Sequence, residues 1–78
     1  RAVRERLWCL CYAQGDRLKS SPLTLGEESQ QLQWEAGAYQ LRTKVTDSSQ
    51  PERWLLLVEV SQNGQTVESS WLVRKTQP

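Results

Sequence analysis

Residues 1 to 14 read RAVRERLWCLCYAQ, and whether they coil or extend decides the fold. Val3, Leu7, Leu10 (with Cys11) and Gln14 fall at i, i+4, i+7, i+8 and i+11, one stripe of an element with 3.6 residues per turn. Arg1, Arg4, Glu5 and Arg6 lie largely off that stripe. The rival is a strand over Leu7 to Ala13, because LWCLCYA is a short apolar run with two aromatics, and periodicity alone separates such runs poorly. The stripe predicts a helix. Gly15-Asp16 is expected to end or weaken it, since Gly inside a helix costs about 1 kcal/mol against Ala. Leu18 resumes the stripe if the helix survives Gly15.

What a helix here must cover follows from the rest of the chain. Residues 19 to 29, KSSPLTLGEES, read as a loop punctuated by Ser, Pro and Gly, with only Leu23 and Leu25 as anchors. Leu32 and Trp34 begin a first strand, and Ala36-Gly37 turns the chain. Tyr39, Leu41, Thr43 and Val45 then alternate with Gln40, Arg42, Lys44 and Thr46, the period of a half-buried strand. DSSQPE is a loop in which Pro51 blocks extension of the ladder. In the third strand Trp54, Leu56, Val58 and Val60 face one way, while Leu55, Leu57, Glu59 and Ser61 face the other.

Asn63-Gly64 suits the two left-handed positions of a type I′ turn. With those two residues as the loop, Val60 opposes Val67, Val58 opposes Ser69, Leu56 opposes Trp71 and Trp54 opposes Val73. That register aligns apolar positions on one face, at the small cost of setting Glu59 against Glu68. The sheet face so defined holds Tyr39, Leu41, Val45, Trp54, Leu56, Val58, Val60, Val67, Trp71 and Val73. Only Val3, Leu7, Leu10 and Leu18 are available to cover it. The expected architecture is α+β: an N-terminal helix packed on a small four-stranded antiparallel meander sheet.

At 78 residues the chain is one domain spanning 1–78. A domain of that size buries only about 60% of its unfolded surface and is marginally stable. Ten basic residues oppose nine acidic ones, without the basic excess of a nucleic-acid binder. There is no His, so general acid–base chemistry near neutral pH lacks its usual carrier. With only two Cys besides, a zinc site is not expected. No Ser-His-Asp or Cys-His set, no HExxH and no Gly-rich phosphate loop occurs, and the four Gly stand singly. The reading is therefore not an enzyme, with no cofactor, no metal, no small-molecule substrate and no nucleic acid. No apolar run of 18 or more residues is present. The start at RAVRERLW, without Met, is expected to follow a removed signal or anchor.

A helix feeding a loop and a short meander is the layout of type IV pilin-like proteins. ERLWCLCYAQGDRL followed by SQQLQWEAGAYQLRTKVTDSSQPERWLLLVEV resembles, in order, the I-type minor pseudopilins of bacterial type II secretion systems. Tyr39 and Leu41 stand where that family has an aromatic pair, and Arg42, Thr43 and Val45 follow. Gly15-Asp16 and the Cys9/Cys11 pair depart from the family pattern. The resemblance implies an assembly subunit at the tip of a short periplasmic pseudopilus. It would pack helix to helix with J-type and K-type minor pseudopilins, anchored by a missing segment on the periplasmic face of the inner membrane. An interface of about 1,600 Å² would suffice. The contact residues expected are Val3, Leu7, Trp8, Leu10, Cys11 and Tyr12. Within that set the stripe residues also serve as core, whereas Trp8 and Tyr12 lie off the stripe, and large aromatics outside a core anchor interfaces.

Other signals have a bland reading beside a sharper one. Cys9-x-Cys11 reads as two buried small thiols, as a redox or chaperone motif, or as an intermolecular bridge. A disulfide between positions two apart is strained. The second of those readings resembles the curli-system periplasmic inhibitor, which carries a CLC before an immunoglobulin-like body, and VEVSQNGQTVESSW is similar to its end. That resemblance implies a periplasmic chaperone in which Cys9 and Cys11 sit on a strand. Trp54 beside Arg53, with Arg42 and Lys44, imitates a single-stranded nucleic-acid platform, but the charge balance opposes it. Asp47 lacks companion carboxylates for calcium, and Glu27-Glu28 reads as solvated loop.

Overall fold

The computed structural model describes residues 2–34 and 37–75, and the side chains of residues 2, 3 and 34 are not among those described. Helix α1 spans Ala2–Leu18, and four strands follow: β1 Gly26–Trp34, β2 Gly37–Asp47, β3 Arg53–Gln62 and β4 Gln65–Arg74. The strands pair antiparallel in chain order, β1-β2-β3-β4. This is the α+β arrangement that the periodicities predict, with one helix on a four-stranded meander.

The β3–β4 hairpin forms as its turn dictates. Asn63 (φ 52°) and Gly64 (φ 77°) both lie in the left-handed region, as a two-residue type I′ loop requires. Val60 faces Val67, Val58 faces Ser69, Leu56 faces Trp71 and Trp54 faces Val73. Glu59 faces Glu68, and Arg42 on β2 relieves the repulsion by donating to Glu59 Oε1 at 3.0 Å. Between β2 and β3, the Ser48 hydroxyl donates to the Arg53 carbonyl at 2.8 Å and accepts from the Gln50 amide at 3.1 Å, which closes the loop.

The inner sheet face supplies the core. Tyr39, Leu41, Val45, Leu56, Val58, Val60, Val67 and Val73 are buried, and the helix adds Leu7 and Cys11. Trp54 and Trp71 share this face but are only partly buried. Trp71 lies on an edge strand and Trp54 at the start of β3, so each has solvent on one side. Leu10 and Leu18 pack partly against the core. Burying a Leu of the size of Leu7 stabilises by about 1.5–3 kcal/mol.

Two expectations need correction. The helix does not stop at Gly15; it runs on through Asp16 to Leu18. The reason is tertiary: the Trp71 ring packs against the Gly15 backbone so closely that a Cβ there would overlap it. The packing offsets the low helix propensity of Gly. Residues 26–29 are not loop either. They begin β1 and pair with residues 42–45 of β2. β1 is a polar edge strand, GEESQQLQW, so its first half carries no apolar alternation to mark it. The two-residue corner at 35–36 lies outside the described residues. Gly37, read as part of that corner, opens β2 opposite Trp34.

Candidate interaction surface

The position of α1 on the sheet sets the surfaces available to a partner. The helix lies over β3 and β4. Its inward stripe, Leu7 and Cys11, is fully enclosed. One flank leans toward the β4 edge. There the Trp8 and Tyr12 rings stack at 5.4 Å with an interplanar angle of 19°, and Tyr12 meets the Trp71 ring edge-on at 6.1 Å. Such pairs contribute about 0.5–1.5 kcal/mol beyond their burial. Trp8 also packs against the core, while Tyr12 is 49% exposed.

The other flank borders the β1 and β2 half of the inner face, where Tyr39, Leu41 and Val45 are buried and Leu32 of β1 only partly so. A furrow of about 200 Å³ runs between Leu10, Ala13 and Arg17 of α1 and Leu32, Tyr39 and Leu41 of β1 and β2. A wider cleft of about 450 Å³, which shares Gln14 and Arg17 with it, continues past Leu18 toward Leu23, Leu25 and Val45. Gln14 crosses this gap, its amide donating to the Thr43 hydroxyl at 3.5 Å, and Arg17 donates to Gln14 Oε1 at 2.7 Å. The furrow is lined mainly by apolar side chains, whereas the wider cleft also carries Glu27, Glu28, Gln30 and Thr43.

The six sequence-predicted contact residues therefore separate. Leu7 and Cys11 belong to the chain's own core and are closed to a partner in this fold. Leu10 lines the furrow. Trp8 and Tyr12 stand together on the opposite flank. Val3 lies on α1, but its side chain is outside the described residues. Sequence reasoning missed Leu32 and Ala13 as furrow residues. The signal for Leu32 was its place on the inner face of β1, opposite Tyr39.

The two cysteines part in the same way. Cys9 is exposed and Cys11 buried, both as free thiols. The Cys11 thiol donates to the Val58 carbonyl at 3.4 Å. Burial pushes its pKa above the ordinary value, the Ser69 backbone amide lowers it in part, and Glu68 raises it further. Both sit on a helix rather than a strand.

Charge elsewhere is paired across the surface. Arg42 spans Glu27 at 2.8 Å and Glu59 at 3.0 Å, and its hydrogen bond and charge hold the Glu27 carboxyl below the usual carboxylate range. Lys75 bonds Asp47 at 3.1 Å and lies 4.2 Å above the Trp54 ring. Asp47 thus has a lysine for a partner, and Trp54 is capped by a cation rather than open for base stacking. Among the described residues no group of three or more Cys, Asp or Glu is placed to hold a metal ion. No described helix is long and apolar enough to cross a membrane. No protein-family model, curated protein or solved structure matches this chain.

Proposed function

We propose that this chain is a non-enzymatic assembly subunit of the pilin-like kind, an I-type minor pseudopilin of a type II secretion system. It would join J-type and K-type neighbours along its N-terminal helix, on the periplasmic face of the inner membrane. The observation that carries the reading is the furrow between α1 and the β1 side of the sheet. A helix is about 10 Å across, and four strands at roughly 4.8 Å spacing make a face nearly twice that width. With α1 seated on β3 and β4, the furrow beside it leaves Leu32 of β1 only partly buried. Helices pack 8–10 Å apart, so a neighbour's helix laid there would run alongside α1 and seal Leu10 and Leu32, both only partly buried. Trp8 and Tyr12, on the other flank, offer a second aromatic contact. A helix at residues 2–18 also favours this reading over the chaperone one, which needs a strand carrying Cys9 and Cys11.

The test is binding of the purified chain to J-type and K-type minor pseudopilin domains, by titration calorimetry or co-purification. Leu10→Glu and Leu32→Glu place a charge in the furrow from either wall. Each is expected to keep the far-UV circular dichroism of the parent and to weaken binding at least tenfold, about 1.4 kcal/mol. Failure of the parent chain to bind either partner, or unchanged binding by both variants, sinks the proposal.

A further inference from the structure

Two strands end the sheet, β1 on one side and β4 on the other. Each leaves a row of backbone groups without a ladder partner. The β3–β4 pairing tells which groups of β4 those are. From the two-residue turn onward the odd-numbered residues of β4 exchange hydrogen bonds with β3, and the Lys75 amide continues the series by donating to the Glu52 carbonyl at 2.9 Å. The N–H and C=O groups of Thr66, Glu68, Ser70, Leu72 and Arg74 therefore point away from the sheet. Their side chains are exposed as well, Leu72 to 46%. Glu68 stands beside Glu59 and Arg74 beside Arg53. Among the described residues, neither Glu68 nor Arg74 forms an ion pair.

We infer that the β4 edge takes the β4 edge of a second copy, antiparallel, so that the two sheets run on as one. Even-numbered residues must face even-numbered ones across that seam, because only they carry free backbone groups. One such register sets Glu68 opposite Arg74 of the other copy, Ser70 opposite Leu72, and Trp71 opposite its own counterpart. A shift of two residues either way sets Arg74 against Thr66 or Ser70 instead, and a register centred on Glu68 or on Arg74 stacks like on like. In the favoured register the charged row reads Glu59, Glu68, Arg74, Arg53 across the two copies, so each like-charged pair meets its opposite. Arg42 lies behind Glu59, bonded to it and to Glu27. Lys44 and Glu27 lie two and three strands in from the seam. The other edge offers no such match, since β1 carries Glu27 and Glu28 and no cation.

The inner face of the seam is aromatic. Trp71 meets Trp71 in the closer, non-hydrogen-bonded kind of cross-strand site, where aromatic pairs stabilise a ladder. A twofold axis perpendicular to the sheet keeps both helices on one side. That axis lies half a strand spacing beyond β4. With α1 seated over β3 and β4, the two helices come to lie about 10 Å apart for a strand spacing of about 4.8 Å. This is a distance at which helices pack. Tyr12, which is 49% exposed and meets Trp71 edge-on at 6.1 Å, is then covered beside the axis. The contact is isologous and closes as a dimer. It uses the β4 flank of α1 and leaves the furrow on the other flank open, so the failure of either proposal leaves the other standing.

Sedimentation equilibrium on the full chain, from about one micromolar to about one millimolar, reads the association. The expected result is a concentration-dependent dimer. Ser70→Pro removes an outward N–H at a site where an edge strand tolerates Pro, and should abolish the dimer while keeping the far-UV circular dichroism of the parent. Glu68→Arg and Arg74→Glu, each at an exposed site, should each lower association about tenfold or more. An equimolar mixture of those two variants should recover it as a heterodimer, because both contacts then pair opposite charges. A chain that stays monomeric across the range, as it would if the edge served a strand of some other protein, overturns the inference. So does a dimer indifferent to Ser70→Pro, or charge variants that fail to complement each other on mixing.

Discussion

Two cysteines separated by one residue end up in different worlds. Cys9 points to solvent and Cys11 is fully enclosed, its thiol bonded to the Val58 carbonyl. On a helix, positions two apart diverge by more than half a right-angle turn beyond ninety degrees, so no local disulfide joins them. A thiol reagent should modify one cysteine in the native chain and two after unfolding; two modified in the native chain would refute the burial of Cys11. The burial also fixes a pH dependence. The folded-state pKa of Cys11 is raised above that of the unfolded chain. Its contribution to stability is therefore complete below about pH 8.5 and is lost as pH rises through the folded value, because the unfolded thiol ionises first. Cys11→Ala should lower stability overall yet show a shallower alkaline decline in urea titrations, and an unchanged slope would assign that decline to other groups.

Elements differ in how much of them the sequence discloses. β2, β3 and β4 were legible because alternation and an Asn-Gly turn each point to one register, and Leu56 opposite Trp71 follows from counting back from the turn. β1 was half hidden: Glu27, Glu28 and Ser29 pair as strand residues through backbone hydrogen bonds, to which Glu27 adds an ion pair with Arg42, and neither leaves an apolar alternation in the sequence. The furrow was hidden for a related reason. It depends on where the helix sits across the sheet, a lateral choice that one-dimensional periodicity does not contain. The length of α1 is the sharpest case, for its last turn depends on a residue 56 positions away. Gly15 is kept because Trp71 occupies the space a side chain would need. Gly15→Ala should therefore destabilise by about 1–3 kcal/mol, although it improves helix propensity by about 1 kcal/mol. With Trp71→Leu in the background, the same change should become neutral or stabilising. Additive effects in that double-mutant cycle, read by urea denaturation, would show that the ring does not explain the glycine.

At the scale of the whole molecule, strand order and chain order coincide. Each strand finds its neighbour across a short loop, while the helix must find partners far along the chain, as in the Cys11–Val58 bond at a separation of 47. Closing that long segment is the greater loss of chain entropy. The sheet is thus expected to assemble before the helix docks. Val60→Ala, in the β3–β4 hairpin, should slow refolding. Leu7→Ala, costing about 2–5 kcal/mol, should act mainly by speeding unfolding. Stopped-flow chevrons separate the two, and a Leu7→Ala variant that chiefly slows refolding would reverse the order. The late arrival of the helix has a price in the cell. For as long as residues 2–18 are still searching, Leu56, Val58 and Val60 form a bare greasy plate on an open-edged ribbon, the form most prone to aggregate with its own kind.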